Sequence, residues 1–196
     1  MTQKYALIDS QHFLSTGYSP ELVLESPNGS HFPLADLPPF LRSLLTTDGT
    51  VTKTLESFFW EPVKVTHVQQ SLEYRSNSLD RANNVEDFDV YLNVNPGEAF
   101  LSRHVELMGQ NTHRHYLSAN STFAIEHLPG KIRQDLEAMN IGIGEILREC
   151  GLETYRKIVA FGVTDAKDKI WRDYLIYIDG KPVVKIRELF ELGSFV

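Results

Sequence analysis

The sequence contains a single cysteine, Cys150, among 196 residues. One thiol excludes an internal disulfide and a thiolate metal cage, and a reducing cytoplasm is the expected compartment. Positive charge is also scarce: Lys and Arg number 19 against 26 Asp and Glu, a net charge of −7. With no basic run the chain lacks the electrostatic footprint of a nucleic-acid binder, so no nucleic-acid partner is expected. No apolar stretch approaches the roughly 18 uninterrupted residues of a membrane span. Residues Met1 to Ser10 carry no basic flank leading into a long apolar region, so neither a membrane partner nor a secretory leader is expected. No segment repeats with a period of about 20–50 residues, which excludes a solenoid or propeller. The chain does hold 42% apolar and 11% aromatic residues, enough for one real core at one-domain length.

Residues 1–34 are turn-rich, with Thr16-Gly17-Tyr18-Ser19-Pro20 and Ser26-Pro27-Asn28-Gly29-Ser30. They read as an N-terminal extension lying on a single domain of residues 35–196. The spacing of Phe40, Leu41, Leu44 and Leu45 after Pro38-Pro39 predicts a short helix over 38–46. Leu55, Phe58 and Phe59 predict a second, with Thr50 as its N-cap and Glu61-Pro62 as its stop. From Val63 the apolar period becomes two, predicting a strand over 63–74. A polar, acidic loop is expected over 75–88. Residues 89–95 and 98–108 read as extended around the turn Asn95-Pro96-Gly97, and 112–124 as another strand. Residues 128–150 form a helical insert, opened by Leu128-Pro129-Gly130 and broken at Asn140 to Gly144. Residues 152–161 fit neither period. Residues 171–178 and 182–190 flank Asp179-Gly180, a strong hairpin signal. Hairpin-linked strands with helices bunched in two places predict an antiparallel α+β domain.

Two charges break the strand pattern. Arg103 shares a face with Leu101, Val105 and Leu107, and Glu188 shares one with Val184, Ile186 and Phe190. A buried charge needs a partner or a charged ligand. Either the two form an ion pair or sit at strand ends in water, or they line a pocket offering a guanidinium to a carboxylate and a carboxyl group to a hydroxyl. Gly142-Ile143-Gly144 allows close backbone approach to a ligand, and serves equally as loop punctuation. His113 and His115 share a strand face, with His104 or His67 as a conceivable third ligand, but no HxxxH or Cys/His spacing supports a metal site, and none is expected.

Four segments carry a family likeness: Thr46-Thr-Asp-Gly-Thr-Val-Thr-Lys-Thr-Leu55, Phe100-Leu-Ser-Arg-His-Val-Glu-Leu107, Ile141-Gly-Ile-Gly-Glu-Ile-Leu147 and Gly180-Lys-Pro-Val-Val-Lys-Ile-Arg-Glu-Leu-Phe190. In order and spacing they resemble the chorismate lyase (chorismate–pyruvate lyase) family, in its divergent branch of small relatives, from about residue 38 to the C-terminus. The resemblance implies a six-stranded antiparallel sheet covered by helices, with two helical flaps enclosing a small-molecule substrate. It implies cleavage of chorismate to 4-hydroxybenzoate and pyruvate without metal or cofactor, feeding quinone head-group synthesis. Carried onto this chain, the carboxylate-binding arginine falls on Arg103 and the carboxyl group at the ring hydroxyl on Glu188, the two expected catalytic residues. Backbone donors fall on Val51, at the ligand carboxylate, and Ile143, near the ring hydroxyl. Two alternatives stay open: a non-catalytic binder of a small aromatic acid, and a scaffold in which Arg103 and Glu188 simply pair. Oligomeric state is not legible.

Overall fold

Pro38 and Pro39 pre-set the backbone for a helix start, and the apolar spacing that follows gives the helix one face to bury. The computed structural model describes residues 22–29, 31–75, 91–137 and 143–195. Helix α1 spans Pro39–Thr46 and buries Leu41, Leu44 and Leu45. Helix α2 spans Val51–Phe59 and buries Val51 and Leu55. Thr50 occupies its N-cap position, but its hydroxyl does not cap the helix; it bonds no free N–H of the first turn. Trp60, in the left-handed conformation at φ 56°, ends the helix one residue before Glu61-Pro62.

Strands β1 (Val23–Glu25) and β2 (His31–Pro33) form a small antiparallel pair, and Leu24 and Leu34 enter the main core. The principal sheet contains β3 (Val63–Tyr74), β4 (Ala99–Gly109), β5 (His115–Ala124), β6 (Thr154–Val163), β7 (Lys169–Ile178) and β8 (Lys181–Glu191), in the order β3-β4-β5-β8-β7-β6. Every neighbouring pair is antiparallel. Between β5 and β6 the chain forms α3 (Gly130–Glu137) and α4 (Ile143–Glu149). The expected α+β architecture is thus present. Asp179 and Gly180 both take positive φ, 50° and 74°, which matches the strand twist of a two-residue hairpin between β7 and β8.

The helices and the inward sheet face share the main core, which includes Leu41, Leu55, Phe123, Phe161, Ile186 and Phe190. A second cluster, Leu92, Val94, Ala124 and Leu175, lies apart from it. It corrects one expectation: Tyr91 and Leu92 are helical rather than extended. Asn93 turns the chain at φ 52°, and Leu92 and Val94 are both buried. Of the acidic loop expected over 75–88, only Arg75 is among the described residues.

The turn between β4 and β5 is fixed from α2's end. Glu61 accepts hydrogen bonds from Thr112 Oγ1 (2.6 Å), Tyr116 OH (2.6 Å) and the backbone N–H groups of Asn111 (2.8 Å) and Thr112 (3.0 Å). A Cβ at Gly109 would meet this carboxylate, so a side chain there would have to displace it from these hydrogen bonds. The Thr112 and Tyr116 hydroxyls, aided by the two amides, hold the Glu61 carboxyl down at about 2 against an ordinary 4.5. A depressed folded-state value means the stabilisation is present above the unfolded value and is lost as pH falls through the folded one. Wild type is therefore expected to lose its stability advantage over Glu61→Gln as pH falls from 4.5 towards 2. Urea denaturation across that window checks it; a gap constant with pH would contradict the assignment.

Candidate active site

Alternation along β4 places Leu101, Arg103, Val105 and Leu107 on the helix-covered face. Along β8 it places Val184, Ile186, Glu188 and Phe190 there. Between them β5 contributes Leu117, Ala119, Ser121 and Phe123. In register, Arg103 faces Ser121, Ser121 faces Ile186, and Glu188 faces Ala119. Arg103 and Glu188 therefore rise from strands about 10 Å apart, given the usual spacing of ~4.8 Å between neighbours. The floor between them is made of two small side chains, Ala119 and Ser121.

All four lie on one cavity of about 620 Å³ between sheet and helices. Arg103 is 4% exposed and Glu188 5%, so neither projects into bulk solvent. Burial pulls the Arg103 pKa down, although a guanidinium remains charged even so. The helices supply the roof. Gly49 to Lys53 approach from the start of α2, and Ile143 to Glu145 from the start of α4. A Cβ at Gly144 would lie 3.5 Å from Thr50 Cγ2 and 3.7 Å from Arg156 Nη2, so the two helical pieces meet at this point. Arg103, Glu188, Val51 and Ile143, the four residues singled out from sequence, thus line the same cavity.

Glu188 lines the cavity and is also ion-paired. Its ion-pair partner is Arg172, not Arg103: Arg172 Nε donates to Glu188 Oε2 at 2.7 Å. The Tyr174 hydroxyl donates to Glu188 Oε1 at 3.1 Å. Arg172 Nη1 also donates to the carbonyls of Leu44, Leu45 (3.2 Å) and Thr47 (2.9 Å), which close the C-terminal end of α1. Helix C-termini carry unpaired carbonyls and partial negative charge, which a guanidinium satisfies. One side chain thereby ties a roof helix to the floor and orients Glu188. Burial, and next the charge of Glu188, push the Tyr174 pKa well up, so its hydroxyl stays a donor. The alternation that exposed Arg103 also marks Arg172, which falls between Ile170 and Tyr174 on the inward face of β7.

The opposite face holds a separate network. Asp173 receives Arg187 Nε at 2.7 Å, Arg187 Nη2 at 2.8 Å and Lys185 Nζ at 3.2 Å. Lys185 is buried on this face, its ammonium over the Tyr91 ring at 5.3 Å. The histidines are dispersed: His67 contacts Glu106 at 2.7 Å, and His104 bonds Asn120 at 2.8 Å. Among the described residues no three His, Cys, Asp or Glu side chains form a metal-binding group. No helix among them is long and apolar enough to cross a membrane.

The chain is similar to known proteins at two levels, sequence and fold. The chain is 26% identical over 168 residues to a chorismate pyruvate-lyase of Mycobacterium tuberculosis, an alignment covering 79% of this chain and 81% of the relative. It is 29% identical to one of Mycobacterium leprae, covering 79% and 75%. Among solved structures, PhnF from Mycobacterium smegmatis superposes with a TM-score of 0.54 at 14% identity, covering 76% of this chain and 67% of that one. Its separate effector domain superposes at 0.51 and 14% identity, covering 73% and 88%. At these identities the two structures establish a shared fold. A family model, Chorismate pyruvate-lyase Rv2949c-like, matches residues 45–195, which hold both roof pieces and every strand of the principal sheet. The chain belongs to the Rv2949c-like chorismate pyruvate-lyase family.

Proposed function

We propose that the cavity binds chorismate and cleaves it to 4-hydroxybenzoate and pyruvate, without metal or organic cofactor, in the cytoplasm, and that the product supplies a quinone head group. The observation that carries this reading is the axis from Arg103 to Glu188 across Ala119 and Ser121. It presents a cation and an acceptor at the two ends of a floor of small side chains, as a para-hydroxy ring acid requires. Arg103 would receive the ring carboxylate through its planar fork, joined by the Val51 amide. Glu188, held by Arg172 and Tyr174, would accept from the C4 hydroxyl, with the Ile143 amide nearby.

The reaction is redox-neutral. The bond from C3 to the ether oxygen breaks, its electron pair leaving with the enolpyruvyl group. C4 loses its hydrogen as a proton, the ring becomes aromatic, and the enolpyruvyl methylene gains a proton to become the methyl of pyruvate. Aromatisation makes the step downhill, so the protein's task is positioning and water exclusion. Each Glu188 oxygen keeps a lone pair beyond the hydrogen bond it already accepts, so Glu188 can orient the C4 hydroxyl while the proton passes within the substrate.

A second reading, a receptor for a small aromatic acid, is favoured by one observation: the same fold forms the effector domain of PhnF. Both readings share the para axis. Calorimetry is expected to show 4-hydroxybenzoate binding at least about tenfold tighter than 3-hydroxybenzoate, whose hydroxyl cannot reach Glu188 when its carboxylate sits on Arg103. Equal affinity would remove the axis and both readings with it. Loss of chorismate on incubation separates catalyst from receptor.

A further inference from the structure

We propose that Arg156 receives a second carboxylate, so that the cavity selects ring acids bearing an ether-linked carboxylate beside the para hydroxyl. This rests on the cavity reading above and deepens it. Chorismate is a dianion, and its enolpyruvyl carboxylate hangs from the ring carbon next to the hydroxyl carbon. With the ring acid laid from Arg103 to Glu188, that carboxylate must fall at the Glu188 end, out of reach of Arg103.

Several cations line the cavity or, like Arg172, contact a lining residue, and the structure distinguishes them. Arg172 is committed to Glu188 and to three carbonyls of the α1 end. Lys53 and Lys64 are exposed, and exposed Arg148 lies 3.8 Å from Glu145. Arg156 is half-buried on β6, opposite Ile176 of β7, and its charge is felt by the Tyr174 hydroxyl that bonds Glu188. It pairs with no carboxylate among the described residues. Nη1 donates to the Asp48 carbonyl at 3.2 Å, while Nη2 lies beside Gly144. The guanidinium thus sits where both roof pieces meet, with most of its five donors uncommitted. A carboxylate there would be bound by the residue that touches both pieces of the roof.

Calorimetry on the full chain with three ligands tests this. They are 4-hydroxybenzoate, 4-hydroxy-3-methoxybenzoate and 3-(carboxymethoxy)-4-hydroxybenzoate. The last two share the ether, and only the last adds the second carboxylate. Arg156→Gln is expected to weaken the dicarboxylate by about 10- to 30-fold and the two monoacids by less than about threefold. Arg156→Lys, keeping the charge, is expected to recover part of the loss. An equal loss for all three ligands, no loss for the dicarboxylate, or no recovery with lysine would overturn the role of Arg156. Wild type binding the monoacids but not the dicarboxylate would also overturn it, leaving the cavity reading intact. Wild type binding none of the three would overturn the cavity reading itself.

Discussion

Arg103→Ala is expected to weaken binding of 4-hydroxybenzoate at least ~30-fold. The guanidinium is buried and lines the cavity, so a carboxylate reaching it is stripped of water and relies on it for charge compensation. Losing one member of such a desolvated pair costs about 2–5 kcal/mol, because the remaining charge is left without a counter-ion. Arg103→Lys keeps the charge but not the planar fork, and should fall between the two. Turnover of chorismate should fall with binding, since the same contact sets the ring's position. Calorimetric titration of the three proteins measures it. Tight binding that survives Arg103→Ala would reject the carboxylate assignment.

The second large effect is on stability. Arg172→Leu is expected to lower the unfolding free energy by about 3–5 kcal/mol, the usual cost of stranding one partner of a buried ion pair. The pair is deeply buried, with side-chain exposures of 2% for Arg172 and 6% for Glu188, and Arg172 also satisfies three carbonyls at the end of α1. Removing it leaves a buried carboxylate and helix-end acceptors unmet. The double variant Arg172→Leu with Glu188→Leu removes both charges and is expected to be more stable than Arg172→Leu alone. Urea denaturation of wild type, both singles and the double gives the coupling. Strictly additive losses would show that the pair is not the source of the effect. Glu188→Gln is not a silent probe of proton transfer for the same reason: it leaves Arg172 buried opposite a neutral amide.

The parts of this site that were legible in the sequence follow one rule, the period of two along a strand. Arg103 and Glu188 stood out because each interrupts an apolar face, and Asp179-Gly180 announced its hairpin through residues that tolerate positive φ. The same rule marks Arg172 between Ile170 and Tyr174. What the rule cannot give is pairing. Which guanidinium meets Glu188 depends on β7 being the register neighbour of β8, a long-range fact. Strand β6 was obscure because Ala160, Phe161, Gly162 and Val163 are all buried, which erases the alternation. The break in β3 was invisible because a register shift between Thr66 and Gln69, with His67 at φ 50°, has no compositional mark. The helical turn at Tyr91 and Leu92 depends on burial of Leu92 beside Ala124 and Leu175, contacts made by strands elsewhere in the chain.

The most direct measurement of the central claim is product accounting. Pure, chelator-treated protein is incubated with chorismate, and both products are quantified by chromatography over time against a protein-free control. 4-Hydroxybenzoate and pyruvate are expected to appear in equal amounts as chorismate disappears, faster than in the control. Chorismate surviving at the control rate, in a protein that still binds 4-hydroxybenzoate, would contradict it and leave the receptor reading in its place.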